Sequence, residues 1–176
     1  IPIIESIDPA SEKVQAIILA PTRELAIQIT DEMREVAVCH EGVRIVCLYG
    51  GQPIGKQIEA LKRRPQIVVA TPGRLSDHMK RRTVVVKDVK TVVLDEADRM
   101  LDMGFIHDVT RILDKIPNRK NLGMFSATIS REVMDISWVY QRDPEEITVR
   151  PTEENKPDIL QYRLEVPSDG KVDAIV

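Results

Sequence analysis

The sequence predicts a doubly wound α/β domain with a parallel sheet and helices on both faces. Three observations carry that prediction. Short runs rich in β-branched residues alternate with stretches of helical periodicity, the pattern of repeated β-α-β units. Most runs are solidly apolar, as in Ile67-Val68-Val69, which suits strands buried on both faces. Hydroxyls, glycines, arginines and carboxylates gather where the runs end, and not where they begin.

In chain order, strands are expected at Ala16–Ala20, Arg44–Tyr49, Gln66–Ala70, Thr91–Asp95, Asn121–Phe125 and Glu146–Val149. Helices are expected between them, where apolar residues recur every three or four positions. Leu25, Ile29, Met33 and Val36 mark one; Ile54, Ile58 and Leu61 mark another. A helix opens after Thr71, a capping residue type, with Pro72 suited to its first turn. Ile106, Val109, Leu113 and Ile116 mark the next, then Val133, Ile136 and Tyr140. Right-handed crossovers would join these units into one layered domain. Lys62-Arg63-Arg64 and Lys80-Arg81-Arg82 read as solvated helix ends, and Trp138 with Tyr140 as core or domain-edge packing. Residues 150–158 are polar and carry Pro151 and Pro157, so they read as a linker between a domain at 1–149 and a further segment at 159–176.

Composition bounds the function. The chain has 176 residues, 43% of them hydrophobic, enough for one core. Lys plus Arg number 25 against 28 Asp plus Glu, which argues against nucleic-acid binding by bulk charge. Aromatics make up only 3%, which argues against base-stacking platforms. Any grip on nucleic acid is therefore expected at a few placed backbone contacts. No secretory leader or apolar run of ~20 residues is evident, so no membrane role is expected. Cys39 and Cys47 are expected to be free thiols in a reducing, cytoplasmic setting.

In an open parallel sheet, ligands bind beyond the carboxyl ends of the strands. The first five strands exit into Pro21-Thr22-Arg23-Glu24, Gly50-Gly51-Gln52-Pro53, Thr71-Pro72-Gly73-Arg74, Asp95-Glu96-Ala97-Asp98 and Ser126-Ala127-Thr128. The first three suit phosphate: helix-start N–H groups, arginines, and glycines that allow close approach. An acidic residue such as Asp95, closing an apolar strand, is what a nucleotide-bound magnesium needs. A second carboxylate, Glu96, can orient or activate water for attack on phosphorus. The segment Gly50-Gly51-Gln52-Pro53-Ile54-Gly55-Lys56 matches a Walker A loop up to its last position. Gln57 stands where the magnesium-binding hydroxyl belongs, and Pro53 removes an N–H from the cradle. It is read as a chance match.

These exits, in this order, resemble the first RecA-like domain of the DEAD-box RNA helicases. Pro21 to Ala26 looks like motif Ia, Gly50-Gly51 like the family's doublet, and Thr71 to Arg74 like motif Ib. Asp95 to Asp98 looks like motif II and Ser126 to Thr128 like motif III. The stretch Arg99-Met100-Leu101-Asp102-Met103-Gly104-Phe105 is typical of the family's chain just after motif II. The resemblance implies ATP and magnesium as cofactors and RNA as partner, held sequence-independently with a second RecA-like domain. It implies that Asp95 holds magnesium largely through water and that Glu96 positions the attacking water. Asp98, Ser126, Ala127 and Thr128 would couple nucleotide state to unwinding. Pro21, Thr22, Arg23, Gly50, Gly51, Thr71, Pro72, Gly73 and Arg74 would hold the RNA backbone. The family's Q motif and Walker A loop would lie upstream of Ile1, with Ile1 to Ile7 ending the helix after that loop. The second domain, begun at 159–176, would continue beyond Val176. The sheet is then expected to be incomplete, with a central strand absent, and this chain alone to be inactive. Three other readings stay open. One is a truncated RNA clamp or scaffold without enzymatic activity, one a related DNA helicase, and one a different P-loop ATPase or GTPase.

Overall fold

A computed structural model of the chain describes residues 1–149, 160 and 162. One compact unit runs Ile1–Pro144 and a second Glu145–Val176. The linker and second-domain expectations at 150–158 and 159–176, and the strand expected from Ile159 to Val166, lie outside the described residues except at Leu160 and Tyr162.

The first unit holds β1 (Ala16–Leu19), β2 (Ile45–Leu48), β3 (Ile67–Ala70), β4 (Thr91–Leu94) and β5 (Asn121–Met124). They form one parallel sheet in the order β2-β3-β1-β4-β5. The register is flush: Ala16 pairs with Ile67 and Thr91, Ile67 with Ile45, and Thr91 with Asn121. All five strands therefore end at the same level, which lines up their exits along one edge.

Seven helices complete the unit among the described residues. They are α1 (Pro2–Glu5), α2 (Arg23–Ala37), α3 (Ile54–Leu61), α4 (Pro72–Lys80), α5 (Ala97–Asp102), α6 (Ile106–Asp114) and α7 (Arg131–Tyr140). Alternate strand residues feed two cores. Ala16, Ile18, Ile67 and Val69 pack with Ile4, Ile7 and Ala26 from the side of α1 and α2. Ile17, Leu19, Val68, Val92 and Leu94 pack with Leu75, Met100, Ile112 and Val133 from α4 to α7. The central β1 and β3 are buried along their whole length, which explains their unbroken apolar runs.

Three expectations need correction. Glu146–Val149 forms no strand. It pairs with no described neighbour, and Ile147 and Val149 are exposed; a lone extended segment can place its N–H and C=O groups only in water. Among the described residues the sheet shows no interruption in its middle either: β1 is paired on both sides, and the outer strands β2 and β5 have one partner each. Of the two alternatives for Trp138, core packing falls: the residue is 72% exposed on α7, whereas Tyr140 packs partly against the core and donates to Asp114. Among the described residues no helix is long and apolar enough to cross a membrane. Cys39 and Cys47 are free thiols.

Candidate functional site

The amino edge of the sheet is sewn shut by two buried glutamines. Gln15 exchanges bonds with Asp8, while Gln66 accepts from Arg44 N–H and donates to the Pro9 and Ser11 carbonyls. The carboxyl edge carries the chemistry. The ladder runs one residue past four of the five strands there: Ala20 N–H donates to Ala70, Thr71 to Leu48, Asp95 to Leu19 and Phe125 to Leu94, at 2.9–3.0 Å. Those four exit residues are thus pinned to the strand beside them.

The first three exits touch one another. Thr22 caps α2, its hydroxyl accepting from Leu25 N–H at 3.3 Å. Arg23 leaves the helix start and lies over the Tyr49 ring, 5.0 Å from its centroid, a cation–π contact. Gly51 sits at φ +82°, a left-handed conformation, and a Cβ there would lie 3.8 Å from the Arg23 guanidinium. Gly50 has no such demand, since a Cβ there meets nothing within 4 Å. At the third exit Thr71 occupies the N-cap position of α4, but its side chain makes no capping bond. The hydroxyl expected to close the helix start is left for another partner. Pro72 is buried in the first turn, and Arg74 reaches back from it to the second exit, donating to the Gln52 carbonyl at 2.9 Å. Pro21 is buried beneath the row, and Gly73 lies within it. Residues from three separate strand exits thus form one continuous strip of N–H groups, hydroxyls and guanidinium groups.

The fourth and fifth exits form a second cluster. Asp95 is partly buried and accepts from Glu96 N–H at 3.0 Å. Burial, reinforced by the neighbouring Glu96 charge, holds its carboxyl above the ordinary carboxylate value. Glu96 has φ 48° and ψ 53°, left-handed for a residue with a side chain, and its carboxylate pairs with Arg99 at 3.2 Å. Asp98 joins the two exits. Its Oδ2 accepts from both the N–H (2.8 Å) and the hydroxyl (2.7 Å) of Thr128, and its own N–H donates to Ser126 Oγ at 3.2 Å. Those bonds, the Thr128 hydroxyl first, hold the Asp98 carboxyl below its ordinary value. Ser126 Oγ donates to the Thr128 carbonyl at 2.7 Å, which leaves Ala127 exposed at the tip.

The residues present fit a divalent cation. Asp95 is a part-buried carboxylate with a raised pKa and no basic partner among the described residues, so a cation would relieve it. No group of three or more His, Cys, Asp or Glu surrounds it among the described residues, so such an ion would keep mostly water or phosphate oxygens. The same residues do not cradle a triphosphate. The loop at Gly50–Lys56 follows β2, an outer strand separated from β4 by both β3 and β1.

Sequence reasoning missed Tyr49, Gln52, Gln57, His78 and Arg99, which hold these groups in place. Two of them had a legible signal. Gln57 lies on the same helical stripe as Ile54 and Leu61, and His78 falls three residues after Leu75; a polar group on an apolar stripe is a buried one. What each would bond to was not readable.

The DEAD/DEAH box helicase family model matches residues 1–136. The chain is 44% identical over 175 residues to the DEAD-box ATP-dependent RNA helicase CshA of Bacillus subtilis, covering 99% of this chain and 35% of that protein. The CshA protein of Geobacillus kaustophilus is 43% identical, with 99% and 37% covered. The chain therefore spans about a third of the length of these curated relatives. Among solved structures, a DEAD box protein from Methanococcus jannaschii superposes with a TM-score of 0.76 at 45% identity, over 81% of this chain and 39% of that one. The yeast DEAD-box splicing factor Prp28 gives a TM-score of 0.72 at 35% identity, over 77% and 34%.

Proposed function

The chain belongs to the DEAD/DEAH box helicase family, and from that membership we propose that it forms most of the first RecA-like domain of an ATP-dependent RNA helicase. In this reading residues 1–149 make that domain, 150–158 link it onward, and 159–176 begin a second RecA-like domain; the protein works inside the cell. One observation carries the proposal: a single sheet edge presents both a strip of backbone-binding groups and a carboxylate pair, with Asp98 bonded across to the Ser126–Thr128 exit.

The division of labour follows from the family reading, and the geometry is compatible with it. Thr22, Arg23, Gly51, Thr71, Gly73 and Arg74, flanked by Pro21, Gly50 and Pro72, hold the sugar-phosphate backbone of a single strand. Such contacts fix position without reading sequence, which suits an acidic, aromatic-poor chain. Bound magnesium–ATP supplies the phosphoryl group that reacts. Asp95 would hold the ion, largely through water, and Glu96 would orient a water and accept its proton at a carboxylate oxygen. Asp98, through Ser126 and Thr128, ties the position of the carboxylate turn to the neighbouring exit, with Ala127 at the contact tip. Because the described residues contain no triphosphate cradle, the chain by itself is expected to be inactive.

The experiment compares RNA-stimulated ATP hydrolysis by this chain and by the full-length protein, with and without Glu96→Gln. No turnover is expected from the chain alone, and a loss of at least ~100-fold from Glu96→Gln in the full-length protein. Turnover by the chain alone, or an unaffected Glu96→Gln protein, contradicts the reading. Matched single-stranded DNA in place of RNA separates the DNA helicase alternative.

A further inference from the structure

Gln57 is the residue that denies the Gly50–Lys56 segment a phosphate-loop hydroxyl, and its surroundings give it a different task. It is 2% exposed, and its amide is fully bonded. Nε2 donates to the Tyr49 carbonyl at 2.9 Å and to Gln52 Oε1 at 3.0 Å. Oε1 accepts from Arg74 Nη1 at 3.2 Å and lies 2.9 Å from His78 Nε2. The amide can face only one way, because the Tyr49 carbonyl can only accept and the Arg74 guanidinium can only donate. That orientation requires His78 to donate from Nε2, while Thr83 Oγ1 sits 2.8 Å from Nδ1. His78 is itself fully buried.

The Gln57 bonds to Tyr49, Gln52 and Arg74 converge on the second and third strand exits. Arg74 Nη1 is shared between Gln57 and the Gln52 carbonyl. Among the described residues its Nε and Nη2 carry no hydrogen bond, so donors remain for an anion. Unrestrained, a guanidinium loses rotamer freedom on binding; one already locked in place loses less.

We infer that Gln57, held by His78, is a positioning residue: it locks the Tyr49–Gln52 loop to the Arg74 guanidinium and so sets the spacing of two backbone-binding exits. The inference rests on the RNA-backbone reading of those exits and adds the element that aligns them. Gln57 itself touches no ligand.

The test measures binding of fluorescein-labelled decauridine by the full 176-residue chain across a salt series, for Gln57→Met, Arg74→Ala and the double variant, with melting temperatures alongside. Gln57→Met is expected to weaken binding about ten-fold. The slope of log Kd against log salt should become shallower by about 0.7, as for one lost single-strand contact. The double variant should bind no worse than Arg74→Ala alone, since both changes remove the same contact. Unchanged affinity and slope in Gln57→Met despite a lowered melting temperature would mean a merely structural amide, and would overturn the inference. Additive losses in the double variant would overturn it too. If Arg74→Ala itself leaves affinity and slope unchanged, the RNA reading of the third exit fails first and the inference falls with it. Should Gln57→Met melt below the assay temperature, Gln57→Glu takes its place: it loses both donated bonds and neutralises Arg74, and unchanged binding again overturns the inference.

Discussion

Glu96 holds its backbone at φ 48° and ψ 53°, where a side chain costs about 1–2 kcal/mol. Its exposed pairing with Arg99 offsets little of that. If the carboxylate serves the chemistry rather than the fold, removing it should relieve that strain. Glu96→Gly is therefore expected to raise the melting temperature by a few degrees, about 2–4 °C per kcal/mol for a domain of this size, read by calorimetry. A fall in melting temperature would mean that the carboxylate serves the fold. The type and order of such residues were legible: Asp95 and Glu96 close an apolar strand, and that placement alone suggested a cation and a water. The left-handed backbone was not legible, since nothing in Leu94-Asp95-Glu96-Ala97 marks a positive φ. Nor was the missing cap at Thr71, where Thr22, a similar residue at a similar position, does bond its helix.

At the scale of elements, flush register makes the site. Because β1, β3, β4 and β5 start and stop together, residues far apart in the chain meet at their ends. The clearest bridge is Asp98 to Thr128, between the start of α5 and the exit of β5. Thr128→Val removes one of its two bonds to Asp98 and is expected to cost about 1 kcal/mol or less, given the exposure of the pair. It should also shift pH dependence. The Asp98 carboxyl is depressed in the folded chain, so its contribution is present above the ordinary value of 3.8 and is lost as pH falls through the lower folded value. Thr128→Val is expected to flatten that acid limb of the melting temperature and to raise the Asp98 titration in a carboxyl NMR experiment. An unchanged titration would mean the bridge does not form. The central β1 and β3 were readable because strands buried on both faces have unbroken apolar runs. Glu146–Val149 shows the same local preference without a partner, and a strand cannot be read from one side of a ladder. The six-residue α5 escaped notice because so short a helix shows no periodicity.

At the scale of the whole molecule, two demands share one edge of one sheet. The amino edge is closed by Gln15 and Gln66, while the carboxyl edge presents the strip from Thr22 to Arg74 beside the carboxylates. An acidic chain with 3% aromatics binds nucleic acid poorly by charge or stacking, yet placed N–H groups, hydroxyls and a locked guanidinium need neither. The most direct measurement is a titration of the isotopically labelled chain with decauridine, followed residue by residue through backbone amide shifts. The expected result is a saturable response at Thr22, Arg23, Gly51, Thr71, Gly73 and Arg74 that is absent from the amino edge around Gln15 and Gln66. A response centred on the amino edge, or on the exposed cations of Lys62-Arg63-Arg64, would contradict it.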